Sequence, residues 1–126
     1  MASFNPVGWF EIYVNDLARA RAFYQTVLAV EIVDLPMDSD EFTMAAFPMN
    51  GEVSGASGAL VHMPGMEAGG NSTIVYFSCE DCAVEESRVA AAGGEVFKSK
   101  FSIGEYGFIS LVFDTERNMF GLHSQK

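Results

Sequence analysis

The chain has 126 residues, 49% hydrophobic and 13% aromatic, which is enough apolar material for one core and too little length for two ordinary domains. Seven Lys and Arg stand against 17 Asp and Glu, a formal charge of −10, which disfavours nucleic acid and anionic lipid as partners because both select a basic face. No apolar run reaches membrane-spanning length, and "MASFNPVGWFEIYV" lacks the basic and long apolar segments of a signal peptide, so the sequence predicts a cytoplasmic protein with no membrane partner.

Residues 9–14, "WFEIYV", alternate as a strand does: Phe10, Ile12 and Val14 on one face, Trp9, Glu11 and Tyr13 on the other. The aliphatic face must meet a covering helix, so Glu11 is expected on the opposite, concave face between two aromatics. Asp16 then stands as an N-cap. Leu17, Ala20, Tyr24, Val27 and Leu28 follow at helical spacing. That helix is predicted to end at Ala29, where a left-handed alanine costs about 1 kcal/mol. A short β-branched strand comes next, then strand candidates in "EFTMAAFPM" (41–49) and "GALVHM" (58–63).

"VYFSCEDCAVEESRVAAAGGEVF" (75–97) repeats this form, with Asp81 in the place of Asp16. Its helix carries a stripe of Val84, Val89 and Ala92 and is stopped by Gly93-Gly94. Strand candidates "GFISLVFDT" and "MFGLHS" complete it. The pattern predicts an α+β fold of two strand-helix-strand-strand-strand modules, about 7–63 and 72–124, in one domain spanning 1–126. Cys79 and Cys82 form a lone C-x-x-C without further zinc ligands or a redox-type context, and are read as ordinary thiols.

"WFEIYVNDLARARAFYQTVLAVEI", "IVYFSCEDCAVEESRVAAAGGEV" and "IGEYGFISLVFDTERNMFGLHS" together resemble the vicinal oxygen chelate superfamily. It comprises glyoxalase I, extradiol dioxygenases, and bleomycin- and fosfomycin-resistance proteins. The resemblance implies their fold over nearly the whole chain. Its metal-dependent members place His or Glu ligands at positions that correspond here to Trp9, Ile74 and Gly121, with a fourth near Ala59 to Val61. None of these side chains ligates a divalent cation, so no metal and no cofactor are expected. A shifted site would have to use Glu11 and His123, with His62 as a third ligand. The family's Asp-Pro-x-Gly-Asn hairpin is "DTERN" (114–118) here. Thr115 and Arg117 replace proline and glycine, which predicts a more strained turn, and Asn118 can still take a left-handed conformation.

In the last strand Met119, Gly121 and His123 share one face. The expected site is therefore an aromatic, acidic cavity for a small molecule, with Glu11 and His123 as the candidate catalytic acid–base pair. Trp9, Tyr13, Tyr76, Glu105 and Tyr106 are the candidate substrate-binding residues. Glu105 and Tyr106 lie in "SIGEYGF", where two glycines permit a tight turn. Two alternatives stay open: a metal-dependent lyase, isomerase or dioxygenase of the glyoxalase kind, and a drug-sequestering resistance protein. A cationic ligand suits both the net charge and a carboxylate among aromatics. Whether the protein catalyses or only binds is also open. The resemblance further implies a homodimer in which sheets of two chains complete each cavity.

Overall fold

The computed structural model describes residues 6–36 and 42–126. The first module runs β1 (Trp9–Tyr13), α1 (Leu17–Leu28), β2 (Val33–Leu35), β3 (Thr43–Ala46) and β4 (Ser57–His62). The second runs β5 (Tyr76–Ser78), α2 (Cys82–Val89), β6 (Glu95–Ser102), β7 (Phe108–Phe113) and β8 (Met119–Ser124). Glu41, the first residue of the predicted third strand, lies outside the described residues.

The two sheets have the same wiring, β1-β4-β3-β2 and β5-β8-β7-β6, with the first and fourth strands parallel and the other pairs antiparallel. The repeat extends to single hydrogen bonds. Tyr13 pairs with Val61 and Ser78 with His123. The next amide then bonds back in each module, Val14 N–H to the Val61 carbonyl at 2.8 Å and Cys79 N–H to the His123 carbonyl at 2.7 Å. The expected α+β fold of two strand-helix-strand-strand-strand modules is the fold observed.

One core serves both modules. Phe10 of β1 packs edge-on against Phe77 of β5 with ring centroids 5.8 Å apart, so the two edge strands meet at the seam. Tyr24 and Phe23 of α1, Phe47 and Phe120 extend this into an aromatic cluster with centroids 5.1 to 6.0 Å apart. Such edge-to-face pairs add to the burial of the rings themselves. Both helices lie on the same side, touching each other, which leaves the opposite face of both sheets free of helices.

The caps follow the sequence. Asp16 accepts from Arg19 N–H at 3.0 Å, and Asp81 accepts from Ala83 N–H at 3.0 Å. Ala29 takes φ 55° at the end of α1, as expected. Helix α2 ends at Val89 with Ala90 right-handed (φ −63°), earlier than expected, and the left-handed Gly93 (φ 104°) lies in the turn that follows.

Two further expectations need correction. Val84 is not in the buried stripe of α2 but 52% exposed. The inward positions are Cys82 and Val89, with Glu86 on the inner flank, where its carboxylate accepts from Lys100 N–H at 2.7 Å. In the turn after β7 the left-handed residue is Arg117, φ 67°, not Asn118. Arg117 sits at the family's glycine position, and its guanidinium lies 4.5 Å over the Phe113 ring and 3.1 Å from Glu95. Asn118 is spent elsewhere.

That turn is the latch between modules. Asp114 and Glu116 are buried. Asp114 Oδ1 accepts from the backbone N–H groups of Glu116 (2.8 Å) and Asn118 (2.9 Å), and Oδ2 accepts from Tyr24 O–H (2.7 Å) and Asn118 Nδ2 (3.1 Å). Glu116 reaches into the first module, accepting from Asn15 N–H at 2.9 Å and from the Arg19 guanidinium. Burial, then the charge of Asp114, raises the Tyr24 pKa well above its usual value.

Candidate functional site

The period-two geometry of β1 sends Trp9, Glu11 and Tyr13 to the helix-free face, and Glu11 is held from both sides. Its Oε2 accepts from Trp9 Nε1–H at 3.3 Å and its Oε1 from Tyr13 O–H at 3.0 Å. The bond donated to Glu11, then burial, then the Glu11 charge push the Tyr13 pKa up, so the phenol remains a donor. The carboxylate is exposed between the two aromatic side chains.

Glu11 and Tyr13 line a cavity of about 280 Å³ at the seam. Glu67 and Asn71 of the segment joining the modules form a second wall, and Asn118 and Met119 a third. Among the described residues this lining holds two carboxylates and no Lys, Arg or His. Asn71 imitates a strand residue: its Oδ1 accepts from Met119 N–H (2.9 Å) and its Nδ2 donates to the Met119 carbonyl (3.0 Å). Asn118 braces two walls at once, Nδ2 donating to the Tyr13 carbonyl (3.1 Å) and Oδ1 accepting from Gly69 N–H (2.7 Å). Sequence reasoning missed Glu67 and Asn71, which lie in a glycine-rich loop without periodicity. Asn118 was visible only as a turn residue.

The other candidates are placed apart from Glu11. His123 is on the helix-free face of β8, but its Nε2 lies 2.7 Å from the Tyr106 carbonyl. A carbonyl can only accept, so Nε2 carries the proton and Nδ1 keeps the lone pair when the ring is neutral. Glu105 and Tyr106 form an exposed 3₁₀ turn (Gly104–Tyr106), with Gly104 and Gly107 both at positive φ. Glu11 and His123 make no contact: the bonds of Glu11 go to Trp9 and Tyr13 and that of His123 to Tyr106. Tyr76 lines a different hollow, together with Ser57 and Val53. The structure thus brings Trp9, Glu11 and Tyr13 together and pairs His123 with Tyr106.

The positions that the resemblance assigns to metal ligands carry Trp9, Ile74 and Gly121 here. Gly121 lies beside Tyr76 in register, and a Cβ on Gly121 would overlap the Tyr76 ring. In this position the ring occupies the space that a side chain at 121 would take. Ala59, opposite Glu11 in β4, offers no donor, and His62 turns aside, its Nδ1 lying 3.1 Å from the Val14 carbonyl. Among the described residues no group of three or more His, Cys, Asp or Glu is arranged to hold a metal ion. Cys79 and Cys82 are free thiols, Cys82 buried. Burial, then the charge of nearby Glu85, push the Cys79 thiol up to about 12, so its reactive thiolate is scarce at neutral pH.

Residues 7–48 match the family model described as bleomycin resistance protein-like N-terminal. Glyoxalase I from Zea mays superposes with a TM-score of 0.75 at 19% identity, covering 95% of this chain and 46% of the maize chain. A glyoxalase/bleomycin resistance protein/dioxygenase family enzyme from Burkholderia phytofirmans PsJN gives 0.68 at 16% identity, covering 94% of this chain and 98% of the other. A hypothetical protein from S. aureus gives 0.72 at 16% identity, covering 97% and 95%. The chain has the glyoxalase/bleomycin-resistance/dioxygenase fold. It spans about half the length of the maize glyoxalase I and nearly all of the Burkholderia protein. No curated protein matches the sequence significantly. In this glyoxalase-like fold the Glu11 cavity sits where both modules and their connection meet. Among the described residues no helix is long and apolar enough to cross a membrane.

Proposed function

We propose that the protein is a member of the glyoxalase/bleomycin-resistance/dioxygenase superfamily that binds a small cationic molecule at Glu11 without a metal. The carrying observation is the Glu11 carboxylate, clasped by Trp9 and Tyr13 over a cavity with a second carboxylate and no cationic side chain. The two donors fix the carboxylate's orientation before a ligand arrives, and the ring faces beside it suit an ammonium group. Binding is favoured over acid–base catalysis because the proposed partner His123 is engaged with Tyr106 and not with Glu11. In this reading Tyr76, Glu105, Tyr106 and His123 take no part in the Glu11 site, since none of them lines its cavity. The Tyr76 ring over Gly121 supports the metal-free reading. The shared aromatic core supports treating 1–126 as a single domain, and the acidic composition fits a cytoplasmic protein.

Phenyltrimethylammonium and benzoate, alike in size and opposite in charge, separate the possibilities by calorimetry. The cation should bind and benzoate should not. Glu11→Gln should weaken the cation about tenfold or more, the usual worth of a charge-assisted contact. The melting temperature of the free protein should hardly change. Equal affinity in Glu11→Gln, or stoichiometric zinc, nickel or iron carried through gel filtration, would overturn the reading.

We further propose a homodimer that closes the helix-free face. Trp9, Ile74 and Tyr76 are large side chains left 40%, 36% and 46% exposed there, surface that an isologous contact would cover twice over. Light scattering at micromolar concentration should give twice the 13.7 kDa chain mass. A monomer would mean that each cavity belongs to one chain alone.

A further inference from the structure

The internal repeat gives the Glu11 cavity a counterpart. By strand register Phe77 and Ser78 of β5 stand where Ile12 and Tyr13 stand in β1, and Ser57 of β4 stands where Met119 stands in β8. Phe77, Ser78 and Ser57 line a separate cavity of about 250 Å³ at the other end of the seam. In both hollows the first strand of one module meets the start of the last strand of the other. Their chemistry has diverged.

In place of Glu67, Asn71 and Asn118, this second cavity has Phe47, Leu28 and Val30. Beside Ser57 and Ser78 its walls are apolar, with one charged side chain, Glu85 of α2. The tilted Phe47 and Phe77 rings, centroids 5.4 Å apart, make one aromatic wall. Glu85 is incompletely matched. Its Oε2 is 3.9 Å from Arg88, beyond hydrogen-bonding distance. Its Oε1 is shielded from solvent and, like the neighbouring Arg88 Nε, has no hydrogen-bond partner among the described residues. The Cys79 thiol, which also interacts with Glu85, donates to the Phe77 carbonyl. A carboxylate held in largely apolar surroundings, its nearest guanidinium 3.9 Å away, gains from a further cation that approaches its partly exposed edge from the cavity.

We infer that this second cavity is a binding site for a small organic amine, its aromatic or aliphatic body against Phe47 and Phe77 and its ammonium on Glu85. The site is independent of Glu11 and shares none of that cavity's lining. An anion of the same body is excluded by the Glu85 charge in apolar surroundings, where a like charge is poorly screened. The two seam hollows of this chain are thus split into an acidic, amide-rich one and a largely apolar one with a single carboxylate.

Phenethylamine and phenylacetate, followed by amide NMR with the intact chain, test this. Phenethylamine should move the Ser57, Ser78 and Glu85 resonances saturably, and phenylacetate should not. Glu85→Gln should weaken phenethylamine about ten- to a hundredfold, and Glu11→Gln should leave these shifts unaltered. If Glu85→Gln melts too low to titrate, Ala56→Trp, which fills the cavity mouth with Glu85 intact, should abolish the same shifts. Equal binding of phenylacetate, unchanged affinity in both variants, or shifts confined to Glu11, Tyr13 and Asn71 would overturn the inference. The last result would leave the Glu11 reading standing, whereas shifts only at Ser57 and Ser78 would support this site even if Glu11 binds nothing.

Discussion

Asp114→Ala is expected to destabilise the protein by about 3–4 kcal/mol, one of the largest losses available to a single polar side chain, because it strands several donors at once. The carboxylate accepts four hydrogen bonds: two from turn backbone, one from Tyr24 and one from Asn118. All lie in the buried junction, where water cannot replace the lost acceptor without opening the core. Arg117, held at positive φ without the help of a glycine, depends on those backbone bonds to keep the turn closed. Asp114→Asn keeps one oxygen and should cost about half as much, since amide nitrogen cannot accept. Urea denaturation gives both values, and a loss below about 1 kcal/mol for the alanine variant would show the network to be dispensable. The effect should extend to the site. Asn118 braces Tyr13 and Gly69, so a loosened turn should also lower affinity at Glu11.

The second large effect is steric and distinguishes two glycines. A Cβ on Gly58 would overlap the Phe10 carbonyl and its ring, and that backbone is fixed by the parallel pairing of β1 with β4. Gly58→Ala should therefore cost about 3 kcal/mol or more, the upper range for overpacking, by forcing the two strands apart. The three atoms nearest a Cβ on Gly121 all belong to the Tyr76 side chain, a residue 46% exposed, with solvent on its outer side. Gly121→Ala should cost about 1 kcal/mol while displacing the Tyr76 ring, visible as a change in its aromatic NMR signals. Similar losses from both substitutions would mean that Tyr76 is wedged in place.

The particular residues show what was legible. Alternation in "WFEIYV" was enough to send Glu11 away from the helices, because a period of two leaves a strand only two faces. Asp16 and Asp81 were legible as caps, since an N-cap acts within three residues of itself. Val84 was misplaced because α2 is eight residues long, too short for its apolar positions to define a stripe against the carboxylates beside them. Arg117 adopted the strained turn conformation because the fold needs that position left-handed. Asn118, the residue better suited to it, was required to tie the modules together.

What the sequence by itself determined is therefore local and periodic: the two modules, their strand faces, their caps and the outward direction of Glu11. Sequence periodicity says which face a residue occupies. It does not say how far apart two residues on one face will lie. Only the tertiary structure decided that Glu11 keeps company with Trp9, Tyr13, Glu67 and Asn71 while His123 turns to Tyr106. It also decided that the Tyr76 ring covers Gly121 and that the seam opens into two hollows of different chemistry. These depend on how two edge strands and a connecting loop meet across the core, and that meeting is set by the packing of Phe10, Phe77, Tyr24 and Phe120, residues far apart in the chain.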